Sequence, residues 1–313
     1  MGSLLLQPAL LDQAAQQEHL KEVSPVFSDY DKEMIEQMPT KSEVKESVLS
    51  ANLQAAPGKD GLTSFFYHYS WDTIGNALTA VVQDIHAEQQ PTSSQRTSLM
   101  VFGCKPKKPK STNPGDKRKI SLLNSDFKII TGVLNQRLKK VATHTLSSCQ
   151  LAIGNDRRIH HGINQARNAI SSAGKRKQGT GILDNDYQAA FDFMALTWVL
   201  KVLRAKGLSQ RAIAHIENLY SKNFTIVVVN NVPGRKFENK RWSIRQGDRP
   251  SSILFCHGID PHLLWLSNRL KGIDIYSRPV PGPVLHGDPF PLTLSEPTKL
   301  LVTLTMSSLQ LRL

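Results

Sequence analysis

The chain has 313 residues, of which 40% are hydrophobic, and it carries 39 Lys+Arg against 26 Asp+Glu for a formal charge of +13. That length and apolar content exclude a disulfide-stapled mini-protein and a wholly disordered chain, and leave room for one large domain or two ordinary ones. The three cysteines, Cys104, Cys149 and Cys256, lack the even count and paired spacing of a disulfide framework or a zinc site, which points to a reducing compartment.

No run approaches the roughly 18 apolar residues of a membrane span. Met1-Gly2-Ser3-Leu4-Leu5-Leu6 has neither a basic n-region nor a myristoylation pattern, so the chain reads as soluble and intracellular, with no membrane partner. Residues 1–24 mix Gln, Ala and Leu without a clean period and read as a leader, disordered or partly helical. Thr40 followed three residues later by Glu43 is a capping box, and it opens a helix expected to run to Leu53. Ala56-Pro57-Gly58-Lys59-Asp60-Gly61 is a turn-forming cluster, Trp71 to Gln90 has helical spacing, and Leu99 to Gly103 reads as a strand.

Between positions 104 and 140 the positive charge is concentrated. Lys105, Lys107, Lys108, Lys110, Lys117, Arg118, Lys119, Lys128, Arg137, Lys139 and Lys140 stand against Asp116 and Asp126 only. Such a block is either an electrostatic footprint for a polyanion or the solvated face of a basic protein. Ile129, Ile130, Val133, Leu134, Leu138 and Val141 recur at three and four, predicting a helix from Ser125 to Thr145 with its Lys and Arg on the outer side. A second helix is expected from His161 to Ser172, then a basic loop from Gly174 to Gly179.

Gly181 to Tyr187 reads as a strand leading into a helix that carries Phe191, Met194, Trp198 and Val202 and ends at Lys206-Gly207. A further helix spans Ser209 to Tyr220. Phe224 to Asn230 is a strand, and after Pro233-Gly234 its hairpin partner is expected from Lys236 to Trp242. Six prolines from Pro279 to Pro297 mark a linker or unfolded tail.

Two constellations could carry chemistry. Asp184-Asn185-Asp186-Tyr187 ends a strand with carboxylates, which either hold Mg²⁺ or serve as turn and capping groups. Arg245-Gln246-Gly247-Asp248-Arg249-Pro250-Ser251 is a polar loop opening a helix. His257 and His262 are five apart, off the spacing of a helical zinc pair, so metal binding by them is not expected.

Taken in order, Ala56 to Gly61, Arg118-Lys119-Ile120-Ser121-Leu122-Leu123-Asn124, Gln150 with Arg158, Asp186 to Asp192, and Arg245 to Asp248 resemble the ordered motifs of non-LTR (LINE-type) retrotransposon reverse transcriptases over residues 39–276. The resemblance implies an α+β, right-hand polymerase fold comprising fingers and a partial palm built on a split βαβ sheet, with the thumb absent. It divides the chain into a leader, residues 1–24, a polymerase region, 25–276, and a tail, 277–313.

It implies RNA-directed DNA synthesis with an RNA template, a DNA primer and dNTP as partners and Mg²⁺ as cofactor. Asp186 would bind the metal, with the Tyr187 carbonyl beside it. Phe191 would pack under the incoming sugar, a role compatible with a core Phe on the same helix. Gln246 and Gly247 would lie against the nucleotide and template base, and Arg118 would contact the triphosphate, work suited to a planar guanidinium. Lys105, Lys107, Lys108, Lys117, Arg137, Lys139 and Lys140 would face nucleic acid.

The chain departs from the family pattern at Ala189, where Lys is usual, at Lys119, where Pro is usual, and at Arg249-Pro250-Ser251-Ser252, where Pro-Leu-Ser-Pro is usual. The Tyr-Ala-Asp-Asp motif that supplies the other metal-binding carboxylates is absent after Lys271-Gly272-Ile273. Thr298 to Gln310 can be back-translated so that a shifted frame spells that motif, which makes residues 277–313 an expected out-of-frame tail. The expected product is a catalytically defective reverse transcriptase domain, with a non-catalytic RNA- or DNA-binding remnant as the alternative.

Overall fold

A computed structural model describes residues 13–104, 111–113, 116–154, 157–176, 190–239 and 243–270. The strand expected over 181–187, the segment 277–313 and the first half of the leader lie outside the described residues.

Helix α1 (Gln13–Leu20) is followed by α2 (Asp29–Glu36) and α3 (Lys41–Leu49). Both α2 and α3 start at a reciprocal capping box, Ser28 with Asp31 and Thr40 with Glu43, which satisfies two backbone donors at each start. Helix α3 stops four residues short of the expected Leu53, in a turn before the Ala56–Gly61 cluster. Next come α4 (Ser64–Tyr69), α5 (Trp71–His86), strand β1 (Thr97–Cys104) and strand β2 (Lys117–Leu122). Helix α6 (Ser125–Thr145) has the bounds its apolar period predicts.

Helix α7 (Ile159–Arg176) runs past Gly174 into what the sequence suggests is a loop. The helix expected from Phe191 to Ala205 is broken into α8 (Ala190–Phe193) and α9 (Leu196–Ala205). The cause is tertiary: Ala195 is extended and bridges Ser243, and the Met194 carbonyl accepts from the Ile244 N–H, so this stretch serves a neighbouring chain rather than a helix. Helix α10 (Gln210–Tyr220), strands β3 (Phe224–Val229) and β4 (Val232–Glu238), and helix α11 (Ser251–Arg269) complete the described elements.

The four strands form one mixed sheet in the order β2-β1-β3-β4, with β1 parallel to β3 and antiparallel to β2, and β4 antiparallel to β3. This is a mixed α/β architecture consistent with the α+β class. The β3–β4 hairpin turns at Asn230 and Asn231, whose φ values of 50° and 64° are the paired left-handed conformations of a type I′ turn. The partner strand therefore starts at Val232, four residues before the expected Lys236. Pro233 is tolerated because β4 is an edge strand, where a missing N–H breaks no inner ladder.

The core is helical and centres on α6. Phe127 and Leu138 are fully buried in it, with Val44 and Val48 of α3, Leu203 of α9, Ile213 and Ile216 of α10, and Ile253 and Leu254 of α11. At the far end of α6, Lys206 donates to Asp260 at 2.6 Å and to the Thr145 carbonyl at 2.6 Å, and Asp260 also accepts from Ser147. Two opposite charges taken from water are tolerable here because each is paired and further hydrogen-bonded. This pair joins the ends of α6 and α9 to the middle of α11.

The turn yields a direct test. Asn231→Val forces a β-branched residue into the left-handed region and is expected to cost ~1–2 kcal/mol, read as faster amide exchange along β3 and β4. Asn231→Gly is expected to leave that protection intact.

Candidate functional site

The end of β2 and the start of α6, Ser121 to Asn124, form the seat of the site. Leu123 is fully buried and Asn124 nearly so. The Ala56–Gly61 segment lies directly on this backbone: a Cβ on Gly58 would overlap the Asn124 side-chain oxygen and backbone nitrogen, and would come within 2.6 Å of the Leu123 carbonyl carbon. Glycine is required there by close approach, not by an unusual dihedral. Asn124 precedes α6 without capping it. Its side chain instead donates to Ser94, at 3.3 Å to the carbonyl and 3.2 Å to the hydroxyl, while accepting from the Asp60 N–H at 3.4 Å. Ser125 donates to the Leu62 carbonyl at 2.9 Å.

The Arg245–Asp248 loop closes on the same junction from another direction. The Ser121 N–H donates to the Gln246 carbonyl at 3.0 Å, and a Cβ on Gly247 would overlap the Ser121 carbonyl oxygen. Gly247 also has φ +116°, a conformation that disfavours any side chain.

The loop is fixed from beneath by buried polar groups. Arg245 is 5% exposed, with its guanidinium 5.0 Å from the Phe127 ring centre and 5.4 Å from that of Tyr220. It donates to Asn223 and lies 3.6 Å from Asp248. Asp248 accepts from the Thr131 hydroxyl of α6 at 2.7 Å and from the Arg249 N–H at 2.9 Å. Burial pushes the Tyr220 hydroxyl far above its ordinary pKa, with the Asp248 charge adding to the shift, so it stays a neutral phenol. Arg249, where the family pattern has Pro, reaches the Ser47 carbonyl of α3 at 2.7 Å and passes over Gly132.

Arg118, Gln246 and Gly247 are thus brought to one strand. Arg118 is half-buried on β2 opposite Gly103, three residues before Ser121. Gln246 is half-buried and Gly247 exposed. Phe191 on α8 is half-buried against Phe255, with ring centres 5.0 Å apart. Its helix connects to the same loop through the Met194–Ile244 hydrogen bond. Lys117 is half-buried beside Cys104, its ammonium 3.2 Å from the sulfur.

Lys139 and Lys140 are exposed but lie far from this cluster, about 21 Å along α6 at ~1.5 Å per residue. Asp186, Tyr187, Lys105, Lys107 and Lys108 lie outside the described residues. Among the described residues no group of three His, Cys, Asp or Glu is placed to hold a metal ion, and no helix is long and apolar enough to cross a membrane.

Arg137 corrects the expectation for the outer face of α6. It is 2% exposed and makes a two-pronged pair with Glu43, Nε to Oε1 at 2.8 Å and Nη2 to Oε2 at 2.9 Å, while Nη1 donates to the Ile35 and Gln37 carbonyls. With its donors used internally and no access to solvent, it does not reach a phosphate. Its position explains why: Leu134, Arg137, Leu138 and Val141 share the inward stripe at spacings of three and four. Burial acts to raise the Glu43 carboxyl, but hydrogen bonds from Arg137 and Thr40 outweigh it and bring the pKa to about 2 from 4.5. Sequence reasoning missed the supports of the site, Asn124, Thr131, Arg245 and Asp248, although three of the four stand inside the quoted motifs.

Residues 105–277 match the family described as "Reverse transcriptase (RNA-dependent DNA polymerase)". Over 257 residues the chain is 26% identical to the "Transposon TX1 uncharacterized 149 kDa protein" of Xenopus laevis, in a match covering 82% of this chain and 19% of that protein. The chain therefore spans about a fifth of the length of this relative.

Two measurements check the geometry. Gly58→Ala and Gly247→Ala should each lower stability by about 2–3 kcal/mol, whereas Gly103→Ala, whose one tight contact is the flexible end of Ile120, should stay within about 1 kcal/mol; urea titration separates them. For Glu43 the folded pKa lies below the unfolded one, so its contribution is full above about pH 4.5 and is lost as pH falls toward 2. Glu43→Gln should lower the urea midpoint at neutral pH and flatten its decline across that window.

Proposed function

The chain belongs to the reverse transcriptase (RNA-dependent DNA polymerase) family, and from that premise we propose that it is the reverse transcriptase domain of a non-LTR retrotransposon that binds template, primer and nucleotide but does not complete synthesis as this chain stands. The transposon origin of the Xenopus laevis relative supports the first part. In this reading residues 25–276 are fingers and part of the palm, with the mixed sheet and its flanking helices on the fingers side.

The observation that carries the reading is the closure of two glycine loops on Ser121–Asn124, at the end of the strand that carries Arg118. Each part has a physical task. Arg118, always cationic and planar, is suited to the triphosphate. The exposed Gly247 leaves room for a base and sugar to approach the backbone, and Gln246, with its carbonyl held by Ser121, presents an amide to that space. Phe191, braced on Phe255, offers a flat wall under the sugar. Lys105, Lys107, Lys108, Lys117, Lys139 and Lys140 supply charge toward the nucleic-acid backbone.

Two Mg²⁺ ions would activate the primer hydroxyl and stabilise the leaving pyrophosphate. The donor set does not fit them: the sequence offers Asp186 at the matching position but no Tyr-Ala-Asp-Asp motif, and two hard divalent ions need more oxygen ligands than that one carboxylate provides.

Primer extension on an RNA template with Mg²⁺ tests the defect. The chain and its Asp186→Ala variant are expected to give the same background, and extension by the chain above that of the variant would overturn it. Binding is tested separately with a labelled RNA–DNA hybrid. Affinity should fall steeply with salt, and Lys139→Gln with Lys140→Gln should reduce the log–log slope by about 1 per lysine. Retention independent of salt would contradict the proposed interface.

A further inference from the structure

Helix α4 places aromatic side chains where solvent, not core, meets them. Ser64 and Tyr67 face inward, at 6% and 8% exposure, and fix the helix to the protein. Phe65 and Tyr69, four residues apart and so on one face, are 55% and 81% exposed. Their rings are nearly parallel, 14° apart in plane with centres 6.0 Å apart. Phe66, 40% exposed, packs edge-on against Tyr67 at 5.2 Å. Rings of this size dominate buried surfaces when they can, so two on one exposed face form a candidate contact surface.

The setting identifies the occupant. Helix α4 follows directly on the Ala56–Gly61 loop that rests on Asn124, and Ser125 holds the Leu62 carbonyl two residues before the helix. The rings are thereby anchored to the same β2–α6 junction that receives Gly247. Lys59 on that loop is exposed, and the chain as a whole carries +13, which favours a polyanion over a basic protein surface of like sign. Two π-faces aligned in one direction accept successive bases of one strand without reversing it, and stacking of this kind tolerates any base.

We propose that Phe65 and Tyr69 form a stacking platform for an unpaired stretch of the RNA strand; the assignment rests on the nucleic-acid-binding reading above and extends it to a second contact region. Paired bases are already stacked on their neighbours, so the platform discriminates single-stranded from duplex RNA.

The test uses the full chain and fluorescein-labelled oligo-U of twenty nucleotides, followed by anisotropy. Phe65→Ala and Tyr69→Ala are each expected to weaken binding by about 5- to 100-fold with the salt slope unchanged, because stacking releases no counterions. Tyr69→Trp is expected to retain wild-type affinity. Binding of a blunt RNA duplex should be the same for all. Because both side chains are exposed, unchanged circular dichroism and urea midpoint verify the fold of each variant. If the chain binds oligo-U and the double alanine variant binds it equally well, the platform is overturned while the binding reading stands. If the chain itself shows no low-salt binding to oligo-U or duplex, both are overturned. If only the variant loses self-association in sedimentation while oligo-U affinity is unchanged, the face is a contact between copies and the proposal is wrong.

Discussion

The structure depends on a close approach of backbones at one place, the four residues from Ser121 to Asn124 where β2 becomes α6. Two loops distant in sequence come to this junction, and each does so through a glycine whose Cβ would collide with main-chain atoms. A larger side chain at either glycine would separate these segments, because each approach brings backbone to backbone. Burial of Leu123 and the triple use of the Asn124 amide hold the junction itself in place. The result is that Gln246 and Gly247, more than a hundred residues from β2 in the chain, dock at the end of the strand that carries Arg118.

Buried cations hold the surrounding helices in register. Arg137 with Glu43 joins α6 to α3, Arg245 with Asp248 and Thr131 joins the glycine loop to α6, and Lys206 with Asp260 joins α9 to α11. Such pairs contribute little net stability against well-packed apolar replacements, yet removing one partner leaves an uncompensated charge that is strongly destabilising. A consequence for function is that three of the chain's cations are spent internally, and its attraction for polyanions comes from the exposed remainder, such as Lys139 and Lys140.

Much of this was legible in the residues. The apolar period gave α6 its bounds, Thr40 with Glu43 marked the start of α3, and the order of short motifs pointed to the family. The motifs could be recognised without any knowledge of why they converge, since close approach at Gly58 and Gly247 is a property of pairs of segments. Charge alone places Arg137 on the outer face of α6, whereas its spacing from Leu134 and Leu138 puts it on the buried stripe. The α8–α9 break was invisible locally: Met194 and Ala195 favour helix, and only the neighbouring 243–244 segment draws them out of it. Pro233-Gly234 is a stronger turn signal by residue type than Asn230-Asn231, yet the twist of the strands favours the asparagine pair.

The central claim is that the two glycine loops close on one junction as a unit. Amide hydrogen exchange at Ser121 tests it most directly, since that N–H is bonded to the Gln246 carbonyl while Gly58 lies on the next residues along. In a Gly58→Ala variant that remains folded at α10 and α11, the account predicts that the Ser121 amide exchanges markedly faster than in the unaltered chain. Unchanged protection at Ser121 would contradict it, and would mean that the loops rest on β2 and α6 independently.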